Sequence, residues 1–448
     1  MNRYAEKNIT QLFSVIALHG SYFKKLHFIP FIIAAIVFCN LTGCASNPVY
    51  DIRVNTAEEK DIFVFIDGTG NTAKSQTNVR RMYEMISFHT NDQNGDKIDT
   101  KKGDLKNKST VALYIQGVGD PKHPVTGTVL GKGASQRIEA SYAELMKIYT
   151  KGDHVYIFGF SRGANFARAL AGLISYAGIP QVNATARTPQ DYYKLATEIH
   201  GMARALEDKD YQAYWSEWSD KKLPPMAKEI EKVFGYSTIP VAIKLLGVWD
   251  TVPGSFKKKY GSCMEEVNDS KGTRYKTNSY PTIKRIAHAL AIDEKRDRFQ
   301  PLHVCEPINP QFTVVEERWF PGAHSDVGGG FLDGGASDLP NLSLSWMFDQ
   351  LTKADYIIPE SAKKIQGNAL GIAHWTDIDT DFINDLLYDC VDRDFNSVLP
   401  GAPKAEIDKS YRIRKDKKAR LRIGEFKLPR ENLTYPISCA QFKNPEGS

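Results

Sequence analysis

Closely spaced cysteines, charge of one sign, repeats and low-complexity tracts are all scarce in this sequence. Its 448 residues hold six cysteines, and no two are spaced C-x-x-C. That leaves no zinc-binding pattern. The formal charge of +5 is small, and Arg3, Lys7, Lys24 and Lys25 against Glu6 place much of it in residues 1–43; without that segment it falls to +2. A strongly basic nucleic-acid binder is excluded. No long Pro/Gly/Ser or Gln/Asn tract points to disorder, and no internal repeat points to a solenoid. Signatures of phosphate chemistry are incomplete. In "FIDGT" the position that would carry an aspartyl nucleophile is Phe65. In "GTVLGKGAS" the glycines are one residue too close for a phosphate loop, and no Ser or Thr follows Lys132. The acids of "HSDVGGG" lack a matched ligand set, so neither a metal nor a cofactor is expected.

One long apolar run is present. Lys24 and Lys25 precede "LHFIPFIIAAIVFCNLTGCAS". A basic segment, an apolar segment and then small residues read as an export signal over residues 1–43. Leu41-Thr42-Gly43-Cys44 is similar to the bacterial lipobox, which implies cleavage before Cys44 and lipidation of it. A plain membrane anchor is the alternative, since the run approaches spanning length. Ala45 rather than Asp follows Cys44, so the expected location is the bacterial cell envelope, at the outer membrane facing the periplasm. Residues 44–60 read as a linker. Cys263, Cys305, Cys390 and Cys439 then remain, and an exported location permits one or two disulfides whose pairing stays open.

Beyond the linker the pattern alternates. "DIFVFIDG", "TVALYIQGVG", "HVYIFGF", "VAIKLLGVWD" and "QFTVVEERWF" read as strands. "NVRRMYEMISFH", "SQRIEASYAELMKIY", "RGANFARALAGLISYAG", "IKRIAHALAIDEKR" and "NLSLSWMFDQLTKA" read as helices. Continuous apolar strands alternating with helices predict an α/β fold with a mainly parallel sheet covered on both faces. The catalytic domain is expected over 61–376. Residues 188–236 form a helical insertion, and 377–448 form a C-terminal extension. In the insertion, Tyr211, Tyr214, Trp215 and Trp218 suit either an acyl-binding lid or ordinary helix packing. The basic run Lys409–Arg422 suits either a solvated strand or loop or attraction to anionic lipid headgroups.

"GFSRG" joins a buried strand to an Ala-rich helix. A serine on such a tight turn has its hydroxyl lifted above the sheet, and Gly159 and Gly163 let neighbouring backbones approach. Ser161 is therefore the candidate nucleophile. The Arg162 N–H, at the helix N-terminus, is a candidate oxyanion donor. A serine hydroxyl needs a base. The hydrolase order of serine, acid and histidine is met by Asp250, at the end of "LLGVWD", and His324, after "EERWF". Asp293 and Asp326 are rival acids. His89, His123, His154, His200, His288, His303 and His374 are the other histidines beyond the signal, none so well placed. A second oxyanion donor is expected from the "FIDGTGNT" turn, through the Gly68 or Thr69 N–H, with Asp67 tying the turn down.

The ordered blocks "FIDGTGN", "GDHVYIFGFSRGANFARALAGLI", "LLGVWDTV", "HALAIDEKRDRFQP" and "RWFPGAHSDVGGGF" resemble the catalytic domain of the type VI secretion lipase effectors of the first family, over roughly Asp61 to Gln350. The resemblance implies an α/β-hydrolase fold and a triad falling on Ser161, Asp250 and His324. It also implies phospholipase-type cleavage of acyl esters. The effectors normally lack an export signal, so this chain departs from them at its lipobox. The expected protein is a membrane-tethered serine esterase, lipase or phospholipase with a lipid or acyl-ester substrate. Its alternatives are an amidase, peptidase or thioesterase on the same triad, and an inactive hydrolase-fold envelope lipoprotein.

Overall fold

The computed structural model describes residues 50–54, 59–72, 74–87, 109–117, 133–182, 188–252, 263, 277–330, 338–375, 389–417, 419–423, 430–433, 435–436 and 438–439. The expected signal and Cys44 lie outside them.

The main sheet is built from β1 (Tyr50–Val54), β2 (Lys60–Ile66), β3 (Ser109–Ile115), β4 (His154–Phe160), β5 (Ile243–Trp249), β6 (Arg285–Ala291), β7 (Val314–Phe320) and β8 (Glu406–Ile407). Their order across the sheet is β1-β3-β2-β4-β5-β6-β7-β8. β1 is antiparallel to β3, and the other neighbours are parallel. Part of the stretch expected as a linker is thus an edge strand.

Parallel strands need crossovers, and α-helices supply those from β2 through β5 and the one before β8. These are α1 (Asn78–Ile86), α2 (Ala134–Ile148), α3 (Arg162–Ala177), α4 (Pro189–Ala205), α5 (Ala227–Phe234) and α6 (Asp338–Lys353). Strand residues alternate between two cores. Ile62, Val64 and Ile66 join Ile138, Leu145, Leu170 and Ile174 from α2 and α3 on one face. Phe63 and Phe65 join Met82 and Tyr83 from α1 and Leu344 and Met347 from α6 on the other. A strand buried on both faces must be apolar at every position, which is why these segments read as continuous runs.

One expected helix is a strand. In "IKRIAHALAIDEKR", Arg285–Ala291 forms β6, paired with β5 and β7. Alanine is a strong helix former, but propensity is overridden here by pairing and burial between two neighbouring strands. The basic run is part helix and part strand. Lys409–Lys415 is a short helix capped by Asp408, Ala419–Ile423 is a strand, and Arg414 is buried with Nη1 donating to the Ala369 and Gly371 carbonyls.

The insertion packs as core. Trp215 and Trp218 are buried, and Trp215 lies 5.2 Å from the Tyr176 ring and 5.0 Å from the Tyr280 ring. α4 starts with a reciprocal cap between Thr188 and Asp191. Among the described residues no helix is long and apolar enough to cross a membrane.

The cysteines pair as Cys263–Cys305 and Cys390–Cys439, closing separations of 42 and 49 residues. Loops of that length restrict the unfolded chain enough to contribute about 4 kcal/mol each on a chain-entropy estimate. Reducing both bonds should therefore lower the melting temperature by several degrees, followed by circular dichroism with thiol titration to verify reduction. An unchanged transition after full reduction would show that the bonds do not contribute to stability.

Candidate active site

The carboxyl ends of the central strands finish level. Ile66 is paired with Gly159, Phe160 with Trp249, Trp249 with Ala289, and Ala291 with Phe320. The residues that follow β2, β4, β5 and β7 therefore leave the sheet at one edge, where open α/β sheets bind ligands. Asp67, Ser161, Asp250 and the turn to His324 all emerge there.

Ser161 forms the elbow between β4 and α3 with φ 59° and ψ −126°. Positive φ is unusual for a residue with a side chain and costs roughly 1–3 kcal/mol. Backbone bonds hold it: the Ser161 N–H donates to the Trp249 carbonyl at 3.0 Å, and the Val252 N–H donates to the Ser161 carbonyl at 3.2 Å. These bonds stitch the elbow to both sides of Asp250. The flanking glycines are sterically required. A Cβ on Gly163 would sit 2.2 Å from the Ile66 carbonyl oxygen, and one on Gly159 would sit 2.4 Å from the Gly163 oxygen.

Asp250 is fully buried and also has positive φ, 39°. Its Oδ2 lies 2.6 Å from His324 Nδ1. Burial alone would raise its carboxyl pKa, but the Arg393 charge and the bonds from His324 and Arg393 outweigh burial and hold it far below the usual range. An ionised Asp250 only accepts, so His324 Nδ1 carries the proton, and in the neutral ring Nε2 is the basic nitrogen. Nε2 is buried and has no hydrogen-bond partner among the described residues. The His324 ring is flanked by Phe160, at 4.6 Å between centroids, and by Phe299, edge-on at 5.2 Å. Phe160 immediately precedes Ser161, so His324 packs against the residue that leads into the elbow.

The rival acids have other partners. Asp326 Oδ1 meets His374 Nδ1 at 2.7 Å, and its Oδ2 accepts from the Ala323 and His374 N–H groups. It pins the turn that carries His324. Asp293 accepts from the Gly322 N–H and the Tyr435 hydroxyl.

Asp67 ties down its turn as expected. It accepts from the Thr77 hydroxyl at 2.6 Å, the Tyr114 hydroxyl at 2.7 Å and Asn71 Nδ2 at 3.2 Å. Its fourth partner changes the oxyanion reading. The Gly68 N–H donates to Asp67 Oδ1 at 2.7 Å, so it is committed and is not a donor to a reacting carbonyl. Gly68 does lie against the elbow, since a Cβ on it would be 2.9 Å from Ser161 Cβ. Thr69 follows it in the same turn, with its Oγ1 buried and unpartnered among the described residues. Arg162 opens α3.

Several residues escaped sequence reasoning. Arg393, in the C-terminal extension, bonds both oxygens of Asp250. Glu294 accepts from the His324 N–H at 3.4 Å and pairs with Arg296. Glu317 joins two imidazoles beneath the site, His288 and His303, each at 2.7 Å through Nδ1. The Thr251 N–H donates to His288 Nε2 at 3.0 Å, which fixes the tautomer and secures the backbone beside Asp250. His288 lies on β6, not on a helix. Glu294 and Phe299 fall in a block that carried the family resemblance. Arg393 had no local signal.

Residues 60–350 match the model of the family described as the catalytic domain of the Tle1-like phospholipase effectors of type VI secretion. The chain belongs to this family. It is thereby placed among phospholipase-like hydrolase domains, and its sheet with helices on both faces is α/β-hydrolase-like. The Saccharomyces cerevisiae "Uncharacterized protein YEL023C" is 24% identical over 268 residues, covering 55% of this chain and 33% of the yeast protein. The chain thus spans about a third of that relative's length. A solved structure of the Tle1 effector bound to the VgrG spike from the type 6 secretion system shares 18% identity. Its TM-score is 0.30, with 66% of this chain and 59% of that chain covered.

In this Tle1-like domain three buried carboxyls around the site are depressed. Burial raises each, but neighbouring charges and hydrogen bonds outweigh it: Arg393 and His324 at Asp250; Arg296, His324 and Arg393 at Glu294, which reaches about 2; and His303, with hydrogen bonds from His288 and His303, at Glu317. A carboxyl depressed in the folded state contributes stability that is complete above its unfolded pKa, near 4, and is lost as pH falls through the folded value. Thermal stability should hold from neutral pH to about 5 and fall between about pH 4 and 2. Glu317→Gln should be less stable at pH 7 and show a shallower acid decline. Equal acid slopes for the variant and the wild type, measured by thermal melts across pH, would remove Glu317 from this account.

Proposed function

We propose that this chain is a serine carboxylic-ester hydrolase of phospholipase type. The observation that carries the reading is the His324 Nδ1–Asp250 Oδ2 bond at the level of the strained Ser161 elbow. Ser161 Oγ attacks the acyl carbonyl carbon while its proton passes to His324 Nε2. The oxyanion is met by the Arg162 and Thr69 N–H groups. The C–O bond then breaks, and His324 returns its proton to the leaving alcohol. Water attacks the acyl-enzyme by the same route and frees the fatty acid and Ser161. Asp250 orients the imidazole and stabilises its cation throughout.

Ser161→Ala should remain folded and lose about 10³–10⁶-fold in kcat, since only binding and oxyanion contacts remain. Asp250→Asn should lose on the order of 10⁴ through the wrong imidazole tautomer. Asp326→Asn should cost much less in kcat than Asp250→Asn. These are measured on phospholipid and short-chain ester substrates with the purified mature chain. Full ester hydrolysis by Ser161→Ala would refute the mechanism.

The reading includes an envelope location, with Cys44 acylated and the catalytic unit held at a membrane. Two disulfides support an oxidising compartment. Several acyl chains would give stable attachment, because each buried CH₂ contributes about 0.8 kcal/mol. Alkyne fatty-acid labelling should mark the wild type and not Cys44→Ser, with the wild type in the outer-membrane fraction. Label absent from the wild type, or retained in Cys44→Ser, would mean that the lipobox is a chance match.

A further inference from the structure

We propose that Arg393 is a positioning residue for the catalytic pair: its guanidinium fixes both oxygens of Asp250 so that Oδ2 faces His324 Nδ1. The inference rests on the serine-hydrolase reading of the site and extends it beyond residues 60–350, where the family model ends.

The geometry is a two-point clamp. Arg393 Nη1 donates to Asp250 Oδ1 at 2.6 Å, and Nη2 donates to Oδ2 at 3.0 Å. Nη1 also donates to the Ala291 carbonyl at 2.6 Å, and Nη2 to the Phe299 carbonyl. With the Ala291 N–H on Oδ1 and the His324 ring on Oδ2, each carboxylate oxygen has two partners. A carboxylate so engaged has no rotational freedom left. The planar fork of arginine matches this arrangement, and the single ammonium of lysine does not. The second tether reaches His324 from the other side, because Phe299, whose carbonyl accepts from Arg393, stands edge-on to the His324 ring.

Arg393 is itself held from the segment between β6 and β7. The Val391 N–H donates to the Lys295 carbonyl at 2.8 Å, the Asp297 N–H donates to the Asp389 carbonyl at 3.0 Å, and Lys295 pairs with Asp392 at 2.9 Å. The Cys390–Cys439 bond ties the same strap to the chain's last described residues. Of the Arg393 side-chain surface only 1% is exposed, so the clamp is shielded from solvent.

A residue acting through Asp250 should matter only while Asp250 is a carboxylate. Arg393→Met should lower kcat by about 10²–10³-fold with KM changed less than about threefold. In the Asp250→Asn background the same change should cost less than about threefold more, because the group it acts through is already gone. Arg393→Lys, which keeps a cation, should recover part of kcat and serves as the folded variant if Arg393→Met does not fold. The His324 Nδ1–H resonance, followed by proton NMR on histidine-labelled protein, should lie far downfield in the wild type and shift upfield in Arg393→Met or Arg393→Lys. Wild-type kcat in a folded Arg393 variant, losses that multiply in the double variant, or an unmoved His324 resonance would each overturn the inference. Ser161→Ala with wild-type activity would instead refute the hydrolase reading, while the NMR comparison would still decide the role of Arg393.

Discussion

A carboxylate with no solvent exposure sits at the centre of this molecule, and everything around the site follows from the need to compensate it. Asp250 is ionised in a place where an unpaired charge would cost several kcal/mol. Its partners come from three separate stretches: the backbone at Ala291, the ring of His324 and the guanidinium of Arg393. The proposed serine-hydrolase mechanism requires this acid charged, because a neutral one would neither select the imidazole tautomer nor stabilise the imidazolium. On that reading compensation cannot be complete either, since some negative charge must remain for the histidine. Arg393 and His324 share the carboxylate, one through its guanidinium and the other through Nδ1.

The same economy of charge recurs below the site. Glu317 is buried between His288 and His303, and burial lowers the pKa of His288, so a neutral ring accepts from the Thr251 N–H. The buried carboxylate is thus satisfied by two imidazole N–H groups and by the Val304 N–H. This gives the loop after β5 a rigid floor. A hydrophobic floor would pack as well but would leave the Thr251 N–H without an acceptor, and a buried donor without a partner costs about 1–3 kcal/mol.

How much of this was legible in the sequence depended on range. The elbow was legible because the chemistry is local: glycines two residues either side of Ser161 at a strand–helix junction have one steric meaning, and the structure places backbone where their side chains would be. Asp250 and His324 were legible because each follows an apolar strand in the order that hydrolases use. β6 was misread because an alanine-rich segment carries no clear period, and only its two neighbouring strands decide its form. The Gly68 N–H was assigned to the oxyanion because the turn's position was visible while the rotamer of Asp67 was not. Arg393 could not be read at all. It lies 143 residues from Asp250 and matters only through a disulfide-tied strap whose pairing spacing alone does not determine.

Strain at Ser161 and order at Asp250 are one construction. Ser161 is held at positive φ by backbone bonds to Trp249 and Val252, the residues that bracket Asp250. Asp250 is in turn at positive φ, with its N–H on the Ala289 carbonyl at 2.7 Å. Two unfavourable backbone conformations are therefore stabilised by bonds to each other's strand ends and to β6. Close packing of Gly163 against Ile66 adds a steric stop from β2. The site's precision thus comes from the level ends of five adjacent strands. Arg393 adds the charge that lets an ionised acid remain at that dry edge.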